Sequence, residues 1–257
     1  MEGKNLYLRD RMTISVPEGE LGGMRVSRFE IEEHSLSNLR AALKEGRGTA
    51  PGWYTRLTEG STLWMSDTDA EKSDHYGPVR AIEIAKAESV VIGGLGLGMV
   101  LNAALSFKHV KHVDVIERDE RVIKLIGPHY QTDPRVNIIH GDAVEQMKKW
   151  PADARWDVGW MDIWPDISPD NIAEMREFTA FYEPRCPAFY GNWSEEMCKR
   201  HAYDHREHDY LTQAEIDEFE EAENTCWDCG EHKDDCGCND CADCGEAEDD
   251  CECDEVA

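Results

Sequence analysis

The stretch from Ser89 to Leu105, SVVIGGLGLGMVLNAAL, constrains the fold of this chain more than any other. Two apolar segments are separated by glycines at alternate positions, Gly94, Gly96 and Gly98. A strand, a tight turn and the start of a helix fit this pattern, because glycine permits the turn and lets the backbone approach a ligand closely. The N–H groups of the helix then point at that ligand. A turn that serves packing alone, with no ligand, is the alternative.

Strands and helices alternate along the chain from this point. The pattern predicts strands over residues 89–92, 112–116, 136–139, 156–161 and 188–192, with a helix between each strand and the next. Two further helices are expected over residues 195–210 and 213–223, and no clear sixth or seventh strand follows. Such alternation predicts an α/β fold, a doubly wound, mostly parallel, Rossmann-like sheet with helices on both faces.

Three regions of different composition are predicted. Residues 1–65 are β-rich, with strands expected over 12–16, 24–33 and 62–65 and a short helix over 35–46. Residues 66–223 form the main domain, and residues 224–257 form an acidic, cysteine-rich tail. The net charge is −27, and 19 of the 54 acidic residues lie between Thr212 and residue 257, with one lysine. The main domain is therefore only moderately acidic.

Composition excludes several classes of partner. Neither the acidic tail nor the rest of the chain offers a basic patch for a phosphate backbone, so nucleic acid is not expected as a partner. No stretch approaches the roughly 20 apolar residues of a membrane span, and no membrane association is expected. The first residues, MEGKNLYLRDR, lack the apolar segment of a secretory signal, which favours a cytoplasmic location. Nothing in the sequence indicates an oligomeric state.

Acidic residues follow three successive predicted strands. Glu117 ends the second strand 23 residues after Gly94, a spacing at which a carboxylate can accept hydrogen bonds from both hydroxyls of a ribose. Asp142 follows the third strand and is either a helix N-cap or, with Ala143, a contact for an adenine amino group. Asp162 follows the fourth strand and is either a cap or a group in a cleft. Three acids at neighbouring strand ends favour one shared cleft.

The glycine spacing favours one kind of nucleoside. A dinucleotide site has the pattern G-x-G-x-x-G/A, whereas this chain has G-x-G-x-G followed by the bulky Met99. The loop carries no basic residue to meet a pyrophosphate. An S-adenosyl ligand, whose cationic sulfur tolerates an acidic cleft, fits this loop better.

The segments VVIGGLGLG, VDVIERD, NIIHGDAVE and WDVGWMD together resemble the class I S-adenosylmethionine-dependent methyltransferase superfamily. Within it the chain is most similar to the spermidine synthase branch, over roughly residues 51–165. The resemblance implies that S-adenosylmethionine is held by the glycine turn, by Glu117 and by Asp142 with Ala143. It also implies that Asp162 orients or deprotonates the acceptor.

Two departures from the spermidine synthase pattern affect the expected reaction. Gly96 stands where aminopropyl transferases have an aspartate, and Pro165 stands where their second aspartate follows the fourth strand. Methyl transfer to an unidentified small-molecule or protein acceptor is therefore the expected function. Aminopropyl transfer and a non-catalytic nucleoside-binding module are the alternatives.

The tail contains eight of the ten cysteines, several of them as C-x-x-C pairs. Such pairs can place two thiolates on one tetrahedral Zn²⁺, and eight thiolates suffice for two sites. An acidic low-complexity extension without metal is the alternative, because so few apolar residues cannot form a core. The candidate zinc ligands are Cys226, Cys229, Cys236, Cys238, Cys241, Cys244, Cys251 and Cys253.

Overall fold

The computed structural model describes residues 2–33, 35–36 and 48–225. The chain divides into two compact units. The first comprises Met1–Asp166 and Glu174–Glu195, and the second comprises Ile167–Ala173 and Glu196–Ala257. In the part of the chain that is described, no helix is both long and apolar enough to cross a membrane.

A helix and an antiparallel sheet begin the first unit. Helix α1 (Glu2–Arg11) precedes strands β1 (Gly19–Leu21), β2 (Met24–Ile31), β3 (Gly52–Glu59) and β4 (Thr62–Ser66), which pair in that order. Side chains along β2 alternate between buried and exposed over most of its length, so one face of this sheet packs on the core. The β-rich N-terminal region is therefore confirmed, although the strands differ in detail from those predicted.

Three details of this region differ from the prediction. Residues 12–16 form no strand, although Met12, Ile14 and Val16 are buried at alternate positions. The backbone there bonds to a side chain instead, because Asn102 donates to the carbonyls of Arg11 and Thr13. Helix α1 and strand β3 were not predicted. The helix expected over 35–46 lies outside the described residues apart from its first two.

A five-stranded parallel sheet forms the rest of the first unit, as the sequence predicts. Its strands are β5 (Ser89–Gly93), β6 (His112–Glu117), β7 (Val136–His140), β8 (Val158–Met161) and β9 (Phe189–Asn192), in the order β7-β6-β5-β8-β9. The helices are α2 (Asp69–Asp74), α3 (Tyr76–Ala85), α4 (Met99–Ser106), α5 (Glu120–Tyr130), α6 (Ala143–Lys149) and α7 (Asn171–Tyr182, whose first three residues belong to the second unit).

The central strands explain why this sheet forms. Every residue of β8 and all but the first of β5 and β6 are buried, the pattern of strands covered by helices on both faces. The strand order reverses at β5, which pairs with β6 on one side and with β8 on the other. In such sheets a crevice opens outside the carboxyl ends of the strands at that reversal.

The described part of the second unit is helical. It contains α8 (Glu195–Asp204, whose first residue belongs to the first unit), a 3₁₀ turn over His208–Tyr210, and α9 (Gln213–Asn224). The single helix predicted over residues 195–210 is therefore wrong. It ends early because Arg206 adopts a left-handed conformation with φ of 59°, and the Glu207 N–H then bonds back to the Ala202 carbonyl.

Candidate functional site

A cavity of about 570 Å³ lies at the carboxyl ends of the parallel strands, within the first unit. Its size is within the usual range for small-molecule sites. The parallel sheet contributes the residues after β5, β6, β7 and β8, and the antiparallel sheet contributes β3 and β4. Among the lining residues are Glu59, Leu63, Trp64, Met65, Glu71, His75, Gly94, Gly96, Glu117, Arg118, Asp142, Ala143, Asp162, Trp164, Glu174 and Trp193.

The glycine turn connects β5 to α4 as predicted. Gly94, Gly96 and Gly98 have φ of 88°, 47° and 80°, a region that side chains rarely adopt. An added Cβ would also overlap protein atoms: the Asp162 carbonyl at Gly94, the Met65 sulfur at Gly96 and the Tyr130 ring at Gly98. Packing inside the protein therefore requires glycine at all three positions. Gly94 and Gly96 line the cavity as well.

Met65 is a cavity residue that the sequence did not single out. It lies near the end of β4, and its sulfur accepts a hydrogen bond from the Leu97 N–H at 3.0 Å. The antiparallel sheet thus contacts the glycine turn directly. No motif marks this methionine, because the contact depends on how the two sheets pack.

Glu117 lies at the end of β6 and is only 8% exposed. One carboxylate oxygen accepts from the Leu95 N–H at 2.9 Å, and the other accepts from the Asp119 N–H at 2.8 Å. The residue therefore ties the glycine turn to the second strand end. Each oxygen keeps acceptor capacity for a further donor in the cavity.

Asp142 has the role of a helix cap and also lines the cavity. Its side chain accepts from the Glu145 N–H at 3.1 Å and caps α6, while the residue itself is exposed. Ala143 follows as the first residue of α6 and is buried. The role of helix N-cap and the predicted contact with an adenine are therefore compatible at this position.

Asp162 follows β8 directly beside the glycine turn. Its N–H donates to the Gly93 carbonyl at 2.9 Å. Its carboxylate lies 3.8 Å from Nε2 of His75, and its side chain is 25% exposed. Burial raises the pKa of Asp162 to about 7, and the charges of Glu71, Asp74 and Glu117 act in the same direction.

His75 was also missed by sequence analysis. It separates α2 from α3, is 2% exposed, and its ring meets Trp160 edge-on at 5.9 Å. Its Nδ1 atom is buried without a hydrogen-bond partner. Burial lowers the pKa of His75 to about 4, so the imidazole is neutral at neutral pH. The sequence gives no periodicity or spacing from which this burial follows.

The Asp162→Asn variant is expected to become more stable relative to the wild type as pH increases, because the wild type loses stability. The folded-state pKa of Asp162, about 7, lies above its ordinary value of 3.8. The folded protein therefore holds the proton more tightly, and wild-type stability is lost as pH rises from about 4 to about 7. The difference in unfolding free energy between variant and wild type should grow by about 2–4 kcal/mol across that range. Urea unfolding at both ends of the range measures it, and a constant difference would contradict the expectation.

The predicted zinc ligands, Cys226 to Cys253, all lie outside the described residues. Cys186 and Cys198 lie within them, and both are buried free thiols. Within residues 2–33, 35–36 and 48–225, no group of three or more His, Cys, Asp or Glu side chains is arranged to hold a metal ion.

No protein-family model matches the sequence, and no curated protein matches it. Several solved structures are similar to part of this chain. Spermidine synthase from Thermotoga maritima is 17% identical over 65% of this chain and 53% of that chain, with a TM-score of 0.39. An O-methyltransferase from Bacillus cereus in complex with SAH is 13% identical over 40% and 49%, with a TM-score of 0.33.

A third structure, an SAH-bound methyltransferase from Podospora anserina, is 13% identical over 43% of this chain and 47% of that chain, with a TM-score of 0.35. Methyltransferases and spermidine synthases, the two groups that the sequence resembles, are thus both represented among the matching structures. The chain spans about half the length of each of these proteins.

Proposed function

We propose that this chain is an S-adenosylmethionine-dependent methyltransferase. The observation that carries the proposal is the position of Glu117, a buried carboxylate between the glycine turn and the second strand end, in a cavity where the strand order reverses. Ligands of doubly wound sheets bind at this place. A carboxylate there can accept hydrogen bonds from two vicinal hydroxyls, as a ribose presents them.

The residues of the cavity fit a nucleoside with a cationic group. Glu117 would hold the ribose hydroxyls, and Asp142 with Ala143 would contact the adenine. The turn from Gly94 to Gly98 would present backbone to the ligand, since Gly94 and Gly96 line the cavity. When bound, S-adenosylmethionine supplies an electrophilic methyl group on a positively charged sulfur.

Asp162 is the candidate catalytic residue. It lines the same cavity as Glu117, at the end of β8 on the other side of β5 from β6. A carboxyl group with a pKa of about 7 can accept a proton from an acceptor group near neutral pH. Orientation of the acceptor by Asp162 is an equivalent role, since methyl transfer depends chiefly on alignment of the reacting atoms.

Titration calorimetry with S-adenosylmethionine and with S-adenosylhomocysteine tests the proposal. We expect both to bind the purified chain with dissociation constants between about 1 μM and about 1 mM, the common range for substrates. Mass spectrometry of ligand that co-purifies distinguishes methyl transfer from aminopropyl transfer, because the latter uses the decarboxylated donor. If S-adenosylmethionine, S-adenosylhomocysteine and the decarboxylated donor all fail to bind, the chain is not a transferase of this kind, and a non-catalytic domain is favoured.

We also propose, from the sequence alone, that the eight tail cysteines bind Zn²⁺ in the reducing environment of the cytoplasm. Thiolate–zinc bonds would supply the ordering energy that the apolar content of the tail does not provide. Metal analysis under reducing conditions should give about two zinc ions per chain. Replacing all eight cysteines by serine should abolish them, and equal zinc in both proteins would contradict the proposal.

A further inference from the structure

The inference concerns which form of the ligand the cavity prefers, and it rests on the proposed function. We infer that Asp162 makes the cavity selective for charge, so that it binds the cationic methylated ligand more tightly than the neutral demethylated one. The two forms differ at the sulfur, which is a cationic sulfonium in S-adenosylmethionine and a neutral thioether in S-adenosylhomocysteine.

The cavity lining carries far more negative than positive charge. Arg118 is the one arginine or lysine among its described lining residues. Glu59 pairs with Arg121, and Glu174 accepts from Trp164 at 2.8 Å. Glu117 and Asp142 accept hydrogen bonds from backbone N–H groups. The lining carboxylates are Glu59, Glu71, Glu117, Asp142, Asp162 and Glu174.

Asp162 differs from Glu59 because no lysine or arginine among the described residues lies within 4 Å of its carboxylate. Within the described residues, the basic side chain within 4 Å of its carboxylate is His75. That imidazole is buried and neutral at neutral pH, so it leaves the charge of Asp162 uncompensated. The buried, unpartnered Nδ1 of His75 is a further sign that this wall is not organised for stability alone.

The other charged groups around Asp162 also favour a cation. Glu71 and Asp74 come from α2, and Glu117 comes from β6, and each of them opposes ionisation of Asp162. A positive charge beside Asp162 would relieve this repulsion, whereas a neutral sulfur would not. The backbone of Asp162 lies against Gly93 and Gly94, and Asp162 lines the same cavity as the glycine turn.

The sign of the pH dependence follows from the same arrangement. Asp162 loses its charge as pH falls through about 7, so the preference for the cationic ligand should disappear in mild acid. The two ligands share their adenosine, amino and carboxylate groups. They differ in the methyl group and in the positive charge that it gives the sulfur. The change of their affinity ratio with pH therefore reports the charge, because the contacts of the methyl group do not depend on the ionisation of Asp162.

The test is titration calorimetry with both compounds at about pH 8 and about pH 5.5, on either side of that pKa. For the wild type, S-adenosylmethionine should bind about tenfold more tightly than S-adenosylhomocysteine at the higher pH and within about threefold at the lower pH. For Asp162→Asn the ratio should be close to one at both. Asp153→Asn removes the same charge from an exposed position outside the cavity lining and should behave as the wild type does.

A wild-type ratio that is the same at both pH values, or equal affinities at the higher pH, would overturn the inference while leaving the proposed function intact. Failure of both compounds to bind would overturn the inference and the proposed function together. Because the wild type alone gives the decisive comparison, the test does not depend on the folding of Asp162→Asn. A thermal melt at each pH shows that the protein is folded during titration.

Discussion

Replacing Glu117 by alanine is expected to weaken binding of S-adenosylmethionine at least about tenfold, because hydrogen bonds to two ribose hydroxyls are worth about 1–3 kcal/mol together. The same change should destabilise the fold by about 2–4 kcal/mol, since the N–H groups of Leu95 and Asp119 both lose a carboxylate partner. Calorimetry and urea unfolding measure the two effects separately.

Two further variants separate ligand contact from structural support. Glu117→Gln keeps the size of the side chain and one carbonyl acceptor. It should therefore retain more stability than Glu117→Ala while still binding S-adenosylmethionine more weakly than the wild type. Glu120→Ala removes a glutamate three residues later, at an exposed position outside the cavity lining, and should change neither quantity strongly. Wild-type affinity in Glu117→Ala would exclude the ribose role.

Gly94→Ala is expected to cause the largest loss of stability among single glycine changes at the turn, on the order of 3–5 kcal/mol. Its φ of 88° is unfavourable for alanine, and the new Cβ would overlap the Asp162 carbonyl, which belongs to rigid backbone. The melting temperature should fall by about 6–20 °C, by the usual scaling for domains of this size. Thermal unfolding followed by circular dichroism measures the change.

Gly23→Ala is the matched control for this prediction. Gly23 has a φ of 84°, close to that of Gly94, but a Cβ there would have nothing within 4 Å. This variant should therefore show the conformational cost alone, about 1–2 kcal/mol. Equal losses in the two variants would mean that close packing against Asp162 contributes nothing.

The parallel sheet was predictable because its signal is local. β5, β6 and β8 are short apolar runs, and Gly94, Glu117 and Asp162 follow or end them at the spacing of a doubly wound fold. Topology then brings the three residues to one edge. The structure places all of them in the lining of a single cavity, as the sequence predicted for a shared cleft.

The missed elements depend on distant contacts. Helix α1 is strongly polar, and it docks through Arg9, which donates to the Tyr76 hydroxyl at 2.5 Å, and Arg11, which donates to Ser106 at 2.6 Å. Strand β3 pairs with β2 across 20 intervening residues, so no short hairpin turn precedes it from which the strand could be predicted. Interactions of this range leave no periodic pattern in the sequence.

The remaining site residues were missed for the same reason. His75 and Met65 contribute to the cavity through packing between elements that are remote along the chain. The sequence therefore indicates the cavity residues at the ends of the parallel strands, but no pattern in it marks those that the antiparallel sheet contributes.

The parallel sheet forms one wall of the cavity and the antiparallel sheet forms another, and the two walls tolerate substitutions and insertions to different extents. The parallel side is fixed by buried strands and by glycines whose replacement would cost stability. The opposite side includes the hairpin of β3 and β4, whose tip at Gly60 would leave an added Cβ with nothing within 4 Å. Residues can be inserted or exchanged at such a tip without disturbing the core. Changes in this hairpin can therefore reshape one wall of the cavity while the wall formed by the parallel sheet stays as it is.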